Sequence, residues 1–326
     1  LKDLKKSGRS AVLLSFVPAS FEIIGYILCA PVILGINRTE AAVMGAVLGA
    51  VSPAVVVPRM VNLIEKKYGT DKAIPQMILA GASCDDIFVI VLFTTFLSMA
   101  QGGSAHVMDF VNIPISIVLG VLLGVDVGYG LYLFFETSYA RKHCVRNSMK
   151  VIIVLGFSFL LIAIEGWLEG KVSVSGLLAV VAMACVLKLK CPESVSGRLS
   201  QKFGKLWLAA EVILFVLVGA AVDIRYTLAA GLPALLMIFV ALAFRMVGVL
   251  ICVAHTSLTW KERLFCVIAY LPKATVQAAI GSVPLAAGLA CGNIVLSVAV
   301  LAIVVTAPLG AIGIDGTYKH LLSEDE

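Results

Sequence analysis

Val267-Ile268-Ala269-Tyr270-Leu271-Pro272-Lys273-Ala274-Thr275-Val276-Gln277 lies in the middle of an apolar run reaching from about residue 262 to 289. Such a run is long enough to cross a bilayer as a helix, which takes about 20 residues. Proline removes a helix hydrogen bond and clashes with the preceding turn, so the run must unwind near Pro272. The next residue is a lysine, a costly group inside a membrane. Unwound backbone and a cation survive at that depth only where protein buries them or they line a polar cavity. A span that is both interrupted and charged decides how the rest of the chain is read.

A second interruption sits far upstream. Ser52-Pro53-Ala54-Val55-Val56-Val57-Pro58 falls inside another apolar run, about 40–61, and helix breaks are expected at Pro53, Pro58 and Pro272. Two interrupted segments at matching places in two halves of a chain mark an ion or substrate site in transporters. Reading apolar runs between polar stretches gives ten segments: about 11–35, 40–61, 73–100, 108–135, 149–168, 172–187, 206–222, 228–254, 262–289 and 293–314. The fold class expected is therefore all-α integral membrane, with about ten transmembrane helices.

Composition agrees. Of 326 residues 60% are apolar and 14% charged, against roughly 45–50% and about 25% in soluble domains. A soluble globule is excluded. The net charge of +5 does not point to nucleic acid, because the basic residues sit in short loops. Twenty of the 25 lysines and arginines flank one side of the ten segments, while Arg38, Lys171 and Arg225 flank the other. By the positive-inside rule both ends of the chain face the cytoplasm, with the cell membrane as the expected location. The eight cysteines show no metal-ligand spacing, so neither a zinc site nor a disulfide framework is expected. The chain opens Leu1-Lys2-Asp3-Leu4-Lys5-Lys6, without methionine or signal peptide. It reads as entered part-way through a cytoplasmic loop, with upstream helices missing.

Charges inside spans are costly and mark functional sites by default. Seven qualify, away from the ends of these segments: Glu22, Asp85, Asp86, Asp126, Glu211, Arg245 and Lys273. At 1.5 Å per residue, Glu22, Asp86, Arg245 and Lys273 each lie on the order of 15–24 Å from the nearest cytoplasmic basic residue. Four charges from four segments thus converge on one depth. Asp85 and Asp86 are the sharpest feature. Adjacent helix residues diverge by about 100°, so one can face a cavity while the other faces a packed neighbour. Such a group holds either a proton or a hard monovalent cation; the alternative is a structural ion pair with Lys273 or Arg245. Glu22 precedes the first break as Arg245 precedes the second. The two are expected to pair as a structural bridge between half-sites, within inverted repeats formed by segments one to three and eight to ten. Lys273 is placed to offset half-helix dipoles or to pair with Asp85, tuning the acidic pair. Asp126, in a glycine-rich stretch, and Glu211 read as structural. Glu324-Asp325-Glu326 reads as a solvated acidic end.

Three stretches together resemble the monovalent cation:proton antiporter superfamily, and most closely its sodium/hydrogen antiporter branch with an Asp-Asp pair. They are Gly45 to Pro58, Gly81 to Asp86, and Leu271 to Ser282, the last being the most specific. The resemblance implies two inverted three-helix units with crossed, discontinuous helices. It implies a first half of the ion-transport core over 1–103, and a linker helix with part of a scaffold and dimer panel over 104–205. A last panel helix over 206–227, a second, inverted core half over 228–316, and a cytoplasmic tail over 317–326 follow. It also implies a homodimer, ion and proton binding in turn at Asp85 and Asp86, and roles for Arg245 and Glu22 in the core. Two departures stand out: Ser52 occupies a position where many relatives carry Asp, and Arg245 one where many electrogenic relatives carry Lys.

The expectation is a secondary transporter, not an enzyme, that needs no cofactor and exchanges Na⁺ or Li⁺ for H⁺. Cation and proton compete for Asp86, assisted by Asp85, with Ser52 and carbonyls near Pro53 as further oxygen ligands. Its partners are those ions and the lipid bilayer, with no nucleic acid. Rival readings are a sodium-coupled organic-solute symporter and a potassium/proton antiporter. An intramembrane aspartyl protease using Asp86 and Asp126 is disfavoured, because Asp126 lacks the Gly-x-Gly-Asp context.

Overall fold

The computed structural model describes residues 2–102, 107–142, 147–168, 172, 174–221 and 224–324. Lys171 and the side chains of Glu211 and Arg225 lie outside the described set. Among the described residues the chain is helical from end to end. The helices run α1 (Lys2–Leu14), α2 (Val17–Leu34), α3 (Arg38–Leu48), α4 (Pro53–Glu65), α5 (Ile74–Ala100), α6 (Val107–Lys142) and α7 (Asn147–Leu168). They continue with α8 (Gly176–Lys190), α9 (Glu193–Ala221), α10 (Ile224–Val253), α11 (Trp260–Ala269), α12 (Thr275–Ile280), α13 (Val283–Ala286) and α14 (Gly292–Leu321).

Each of the ten apolar segments falls on helix, but only seven stretches among the described residues are long and apolar enough to cross a membrane by length and composition. The exact count of ten is not confirmed: α8 has 15 residues, the segment 206–222 runs over residues outside the described set, and the ninth segment is cut into three pieces. The outward faces carry large apolar side chains, with Val32 87% and Leu232 80% exposed, which suits hydrocarbon rather than water.

Both interruptions are present. Gly49–Ser52 separates α3 from α4, and Tyr270–Ala274 separates α11 from α12. Pro53 takes the first helical position of α4, where a missing N–H costs nothing. Pro58 is a correction: it lies inside α4, which runs on to Glu65 without a break. One absent backbone bond, to Ala54, is tolerated there because the rest of the helix keeps its ladder and buries Val56, Met60 and Leu63. The two interrupted spans also start alike. Asn37 caps α3 with Glu40 returning the bond, and Thr259 caps α11 with Glu262 returning it.

The chain divides into two compact units, one of residues 1–104 with 214–326 and one of residues 105–213. In the first, α2 packs along α10, and α3 lies against α2 and α5. Two buried apolar clusters fill it, one around Met44, Val47 and Met237, the other around Met60, Ile78 and Phe265. In the second unit α6 packs on α8. Gly120, Gly124 and Gly128, one turn apart, face the backbone of Ser175, Ala179 and Met183. A Cβ on Gly120 would lie 2.6 Å from the Ser175 carbonyl oxygen. Small residues let helices approach closely where lipid supplies no hydrophobic drive. Asp126, in the same stretch, is exposed on α6, so it does not join the helix seam.

Candidate functional site

The first break leaves the last carbonyls of α3 without helical partners, and the second does the same for α11. Buried cations and one amide answer them. Lys273 Nζ donates to the Leu48 carbonyl at 2.6 Å. Arg245 donates to the Gly49 carbonyl through Nη1 and to the Tyr270 carbonyl through Nε at 2.8 Å. Gln277 Nε2 donates to the Ala50 carbonyl at 2.9 Å. The breaks also bond each other, the Ser52 N–H donating to the Pro272 carbonyl at 2.8 Å. Cations at helix C-termini are favoured by the helix dipole, so the unwound segments demand positive charge at this depth.

That charge is balanced by carboxylates from two long helices. Glu22, on α2, receives Arg245 Nη1 at 2.7 Å and Lys273 Nζ at 2.5 Å. Asp85, on α5, receives Arg245 Nη2 at 2.9 Å and the Val51 N–H at 2.8 Å through the same oxygen, Oδ2. All four side chains are almost wholly buried. The sequence reading leaves Asp85 to either Lys273 or Arg245 and pairs Glu22 with Arg245; here Arg245 meets both Glu22 and Asp85, and Lys273 meets Glu22 and the end of α3. The planar guanidinium, with five donors in a fixed fork, can serve four acceptors at once where an ammonium cannot.

Asp86 stands apart. It is half-buried, and its Oδ1 is buried without a hydrogen-bond partner. Asp85 Oδ1, Ser52 Oγ, Gln277 Oε1 and the Tyr270 hydroxyl are also buried and unpartnered. Neighbours of these residues pack together: Ala50, Val89 and Val276 share one buried apolar cluster with Ala19 of α2. So α2, the first break, α5 and α12 meet at one place. Oxygens without donors are what a hard monovalent cation or a proton can use. Among the described residues no three His, Cys, Asp or Glu side chains form a metal-holding group.

Gln277, Thr306 and Tyr270 escape a search for buried charge, although all three are buried. Thr306 Oγ1 accepts the Lys273 N–H at 2.9 Å, and the Tyr270 ring lies 5.5 Å from the Arg245 guanidinium carbon. For Gln277 and Tyr270 the available signal is an uncharged polar side chain in an apolar run beside a break; Thr306, inside the unbroken α14, carries no such mark. A cavity of about 700 Å³ lies elsewhere, lined by Asn37–Glu40, Met99–Gln101 and Ala287–Ala290. In the orientation expected from the loop charges, those residues stand at the non-cytoplasmic ends of their helices.

The sequence of this chain is 32% identical over 335 residues to the human protein named sodium/hydrogen exchanger 9B2, covering 100% of this chain and 61% of that protein. It is 30% identical over 285 residues to human sodium/hydrogen exchanger 9B1, covering 83% and 53%. The chain thus spans about three-fifths of the length of the 9B2 relatives it matches. The fold is shared with the sodium proton antiporter MjNhaP1 of Methanocaldococcus jannaschii, at a TM-score of 0.80 and 18% identity, over 98% of this chain and 80% of that one. Residues 1–318 match the family model described as sodium/hydrogen exchanger, transmembrane, and the chain belongs to that family.

Proposed function

We propose that this protein is a secondary antiporter that exchanges Na⁺ or Li⁺ for H⁺, with the two ions competing for Asp86. The observation that carries this reading is the asymmetry of the aspartates. Asp85 is tied to Arg245 and to the first break, whereas Asp86 makes none of those bonds and keeps a bare buried oxygen. Asp85 Oδ1, Ser52 Oγ and backbone oxygens near Pro53 complete the ligand set. An ionised Asp86 without a counter-ion is too costly to carry through a low-dielectric barrier. Only the protonated or cation-loaded carboxylate crosses, and that restriction couples the two fluxes without covalent chemistry. The names of the 9B2, 9B1 and MjNhaP1 proteins support the same activity.

In this reading Glu22 and Arg245 hold the two half-sites together, and Lys273 offsets the dipole of α3. The transport core comprises 1–103 and 228–316, the panel lies within 104–227, and 317–326 forms a cytoplasmic tail. The protein works as a homodimer in the cell membrane, as the family resemblance implies, and the loop charges support both ends of this chain lying in the cytoplasm. The test is reconstitution in liposomes with a luminal pH dye, adding Na⁺, Li⁺ or K⁺ in turn. Na⁺ or Li⁺ should drive proton movement, and Asp86→Asn should abolish it while remaining folded. Exchange that persists in Asp86→Asn would remove Asp86 from the role, and a folded wild type inert to every cation would overturn the antiporter reading.

A further inference from the structure

Gln277 lies just past the second break, in α12 (Thr275–Ile280), with 1% of its surface exposed. Its amide nitrogen is committed to the Ala50 carbonyl, 2.9 Å away and two residues before Ser52. Its amide oxygen is buried and has no hydrogen-bond partner. Nitrogen and oxygen of a carboxamide share one carbon, so fixing the nitrogen on the first break also fixes the oxygen beside that break. An amide oxygen buried without a donor costs free energy unless something supplies positive charge. Ser52, whose Oγ is likewise bare, follows Ala50 by two residues, and Asp86, with a bare carboxylate oxygen, stands one turn before Val89, which shares a buried cluster with Ala50 and Val276.

We propose, resting on the antiport reading, that Gln277 is a specificity-determining residue whose Oε1 coordinates the transported cation alongside Asp86 and Ser52. The Ala50 bond sets the reach of that oxygen. Na⁺ and Li⁺ are both hard cations that bind oxygen but differ in size, so an oxygen held at one distance discriminates between them. A proton bound to Asp86 needs no further ligand. Gln277 therefore acts on the cation limb of the exchange and leaves the proton limb unchanged. The same amide clamps the break, which gives one side chain two separable duties: nitrogen for backbone position, oxygen for the ion.

The experiment compares wild type, Gln277→Met and Gln277→Asn in liposomes, reading KM and kcat for Na⁺ and for Li⁺ at fixed pH. Methionine matches the size and removes both heteroatoms. Asparagine keeps them but is one methylene short, so it cannot reach Ala50 and the ion together. Gln277→Met should raise the Na⁺ KM about tenfold, as expected for loss of one ligand to a charge. Gln277→Asn should change the Na⁺/Li⁺ KM ratio by about threefold, and in both the inhibition by protons at a given Na⁺ saturation should be unchanged. If either variant, shown folded by its thermal melt, keeps the wild-type KM values and ratio while kcat falls, Gln277 is only a backbone clamp and the inference fails. Should Gln277→Met not fold, the Gln277→Asn ratio alone decides. Wild type that exchanges no cation sinks the antiport reading instead, a result distinct from wild type that exchanges while the variants keep its ratio.

Discussion

Arg245 donates to four acceptors on four parts of the chain: Glu22 on α2, Gly49 in the first break, Asp85 on α5 and the Tyr270 carbonyl after α11. Removing one partner from a buried ion pair leaves uncompensated charge and costs roughly 3–5 kcal/mol. Arg245→Ala should therefore lower the unfolding midpoint in detergent more than Arg245→Lys, which keeps charge but loses the fork. A midpoint for Arg245→Ala equal to that of wild type would show that the network does not hold the crossing. Glu22, Asp85, Asp86, Arg245 and Lys273 are all legible in the sequence, because charge at membrane depth is conspicuous. Which cation meets which anion is not legible. Spacing puts Lys273 and Arg245 at similar depth, and only the positions of the broken ends decide that Arg245 reaches Asp85 while Lys273 reaches Glu22 and Leu48.

The second break is held from behind by α14. Gly310 faces the Pro272 ring so closely that a Cβ there would strike Cγ and Cδ. Gly310→Ala should displace Pro272, whose carbonyl bonds Ser52, and should lower kcat by about tenfold with a reduced melting temperature. Gly316, on the same helix with open space around it, is the control. Gly316→Ala should be neutral or stabilising by up to about 1 kcal/mol. Equal effects of the two substitutions would remove any special role for the Gly310 contact. Of the end expected to be solvated, Asp325 and Glu326 lie outside the described residues, and Glu324 is tied to the connection between α4 and α5. Tyr68 donates its hydroxyl to Glu324 at 2.7 Å, and the Gly69 N–H donates to the Ser323 carbonyl at 2.8 Å. The Glu324 bond, followed by partial desolvation, raises the Tyr68 pKa above its ordinary 10.0. A raised pKa means the contact is intact below that ordinary value and is lost as pH climbs through the raised one. Tyr68→Phe should speed hydrogen exchange at the Gly69 amide at neutral pH, and unchanged exchange would mean the hydroxyl does not hold the tail. Helix breaks at Pro53 and Pro272 are readable from proline in an apolar run; the continuity of α4 through Pro58 is not, since one missing bond is decided by how the whole helix packs.

Across the whole molecule the buried charges of the crossing cancel, Glu22 and Asp85 against Arg245 and Lys273. In the proposed mechanism Asp86 then carries one proton one way and one monovalent cation the other, so no net charge moves in a cycle. Exchange measured in liposomes should be insensitive to an imposed potassium-diffusion potential. Rates that follow the potential would show that a second group titrates during transport. The matched capping pairs, Asn37 with Glu40 and Thr259 with Glu262, reinforce the repeat that the paired breaks suggest. Sequence alone determined that the chain is a helical membrane protein, that two of its apolar runs are interrupted, and which charges lie in and beside those interrupted helices. These are properties of residue type and position along one chain, and the bilayer acts on them locally through the cost of burying charge and unbonded backbone. Tertiary structure alone decided that Arg245 rather than Lys273 holds Asp85, that Asp86 is left bare, and that Gln277 reaches across to Ala50. Those outcomes depend on which unpaired groups of distant segments come within hydrogen-bonding distance, and packing of α2, α5, α10 and α12 around the crossing sets that distance.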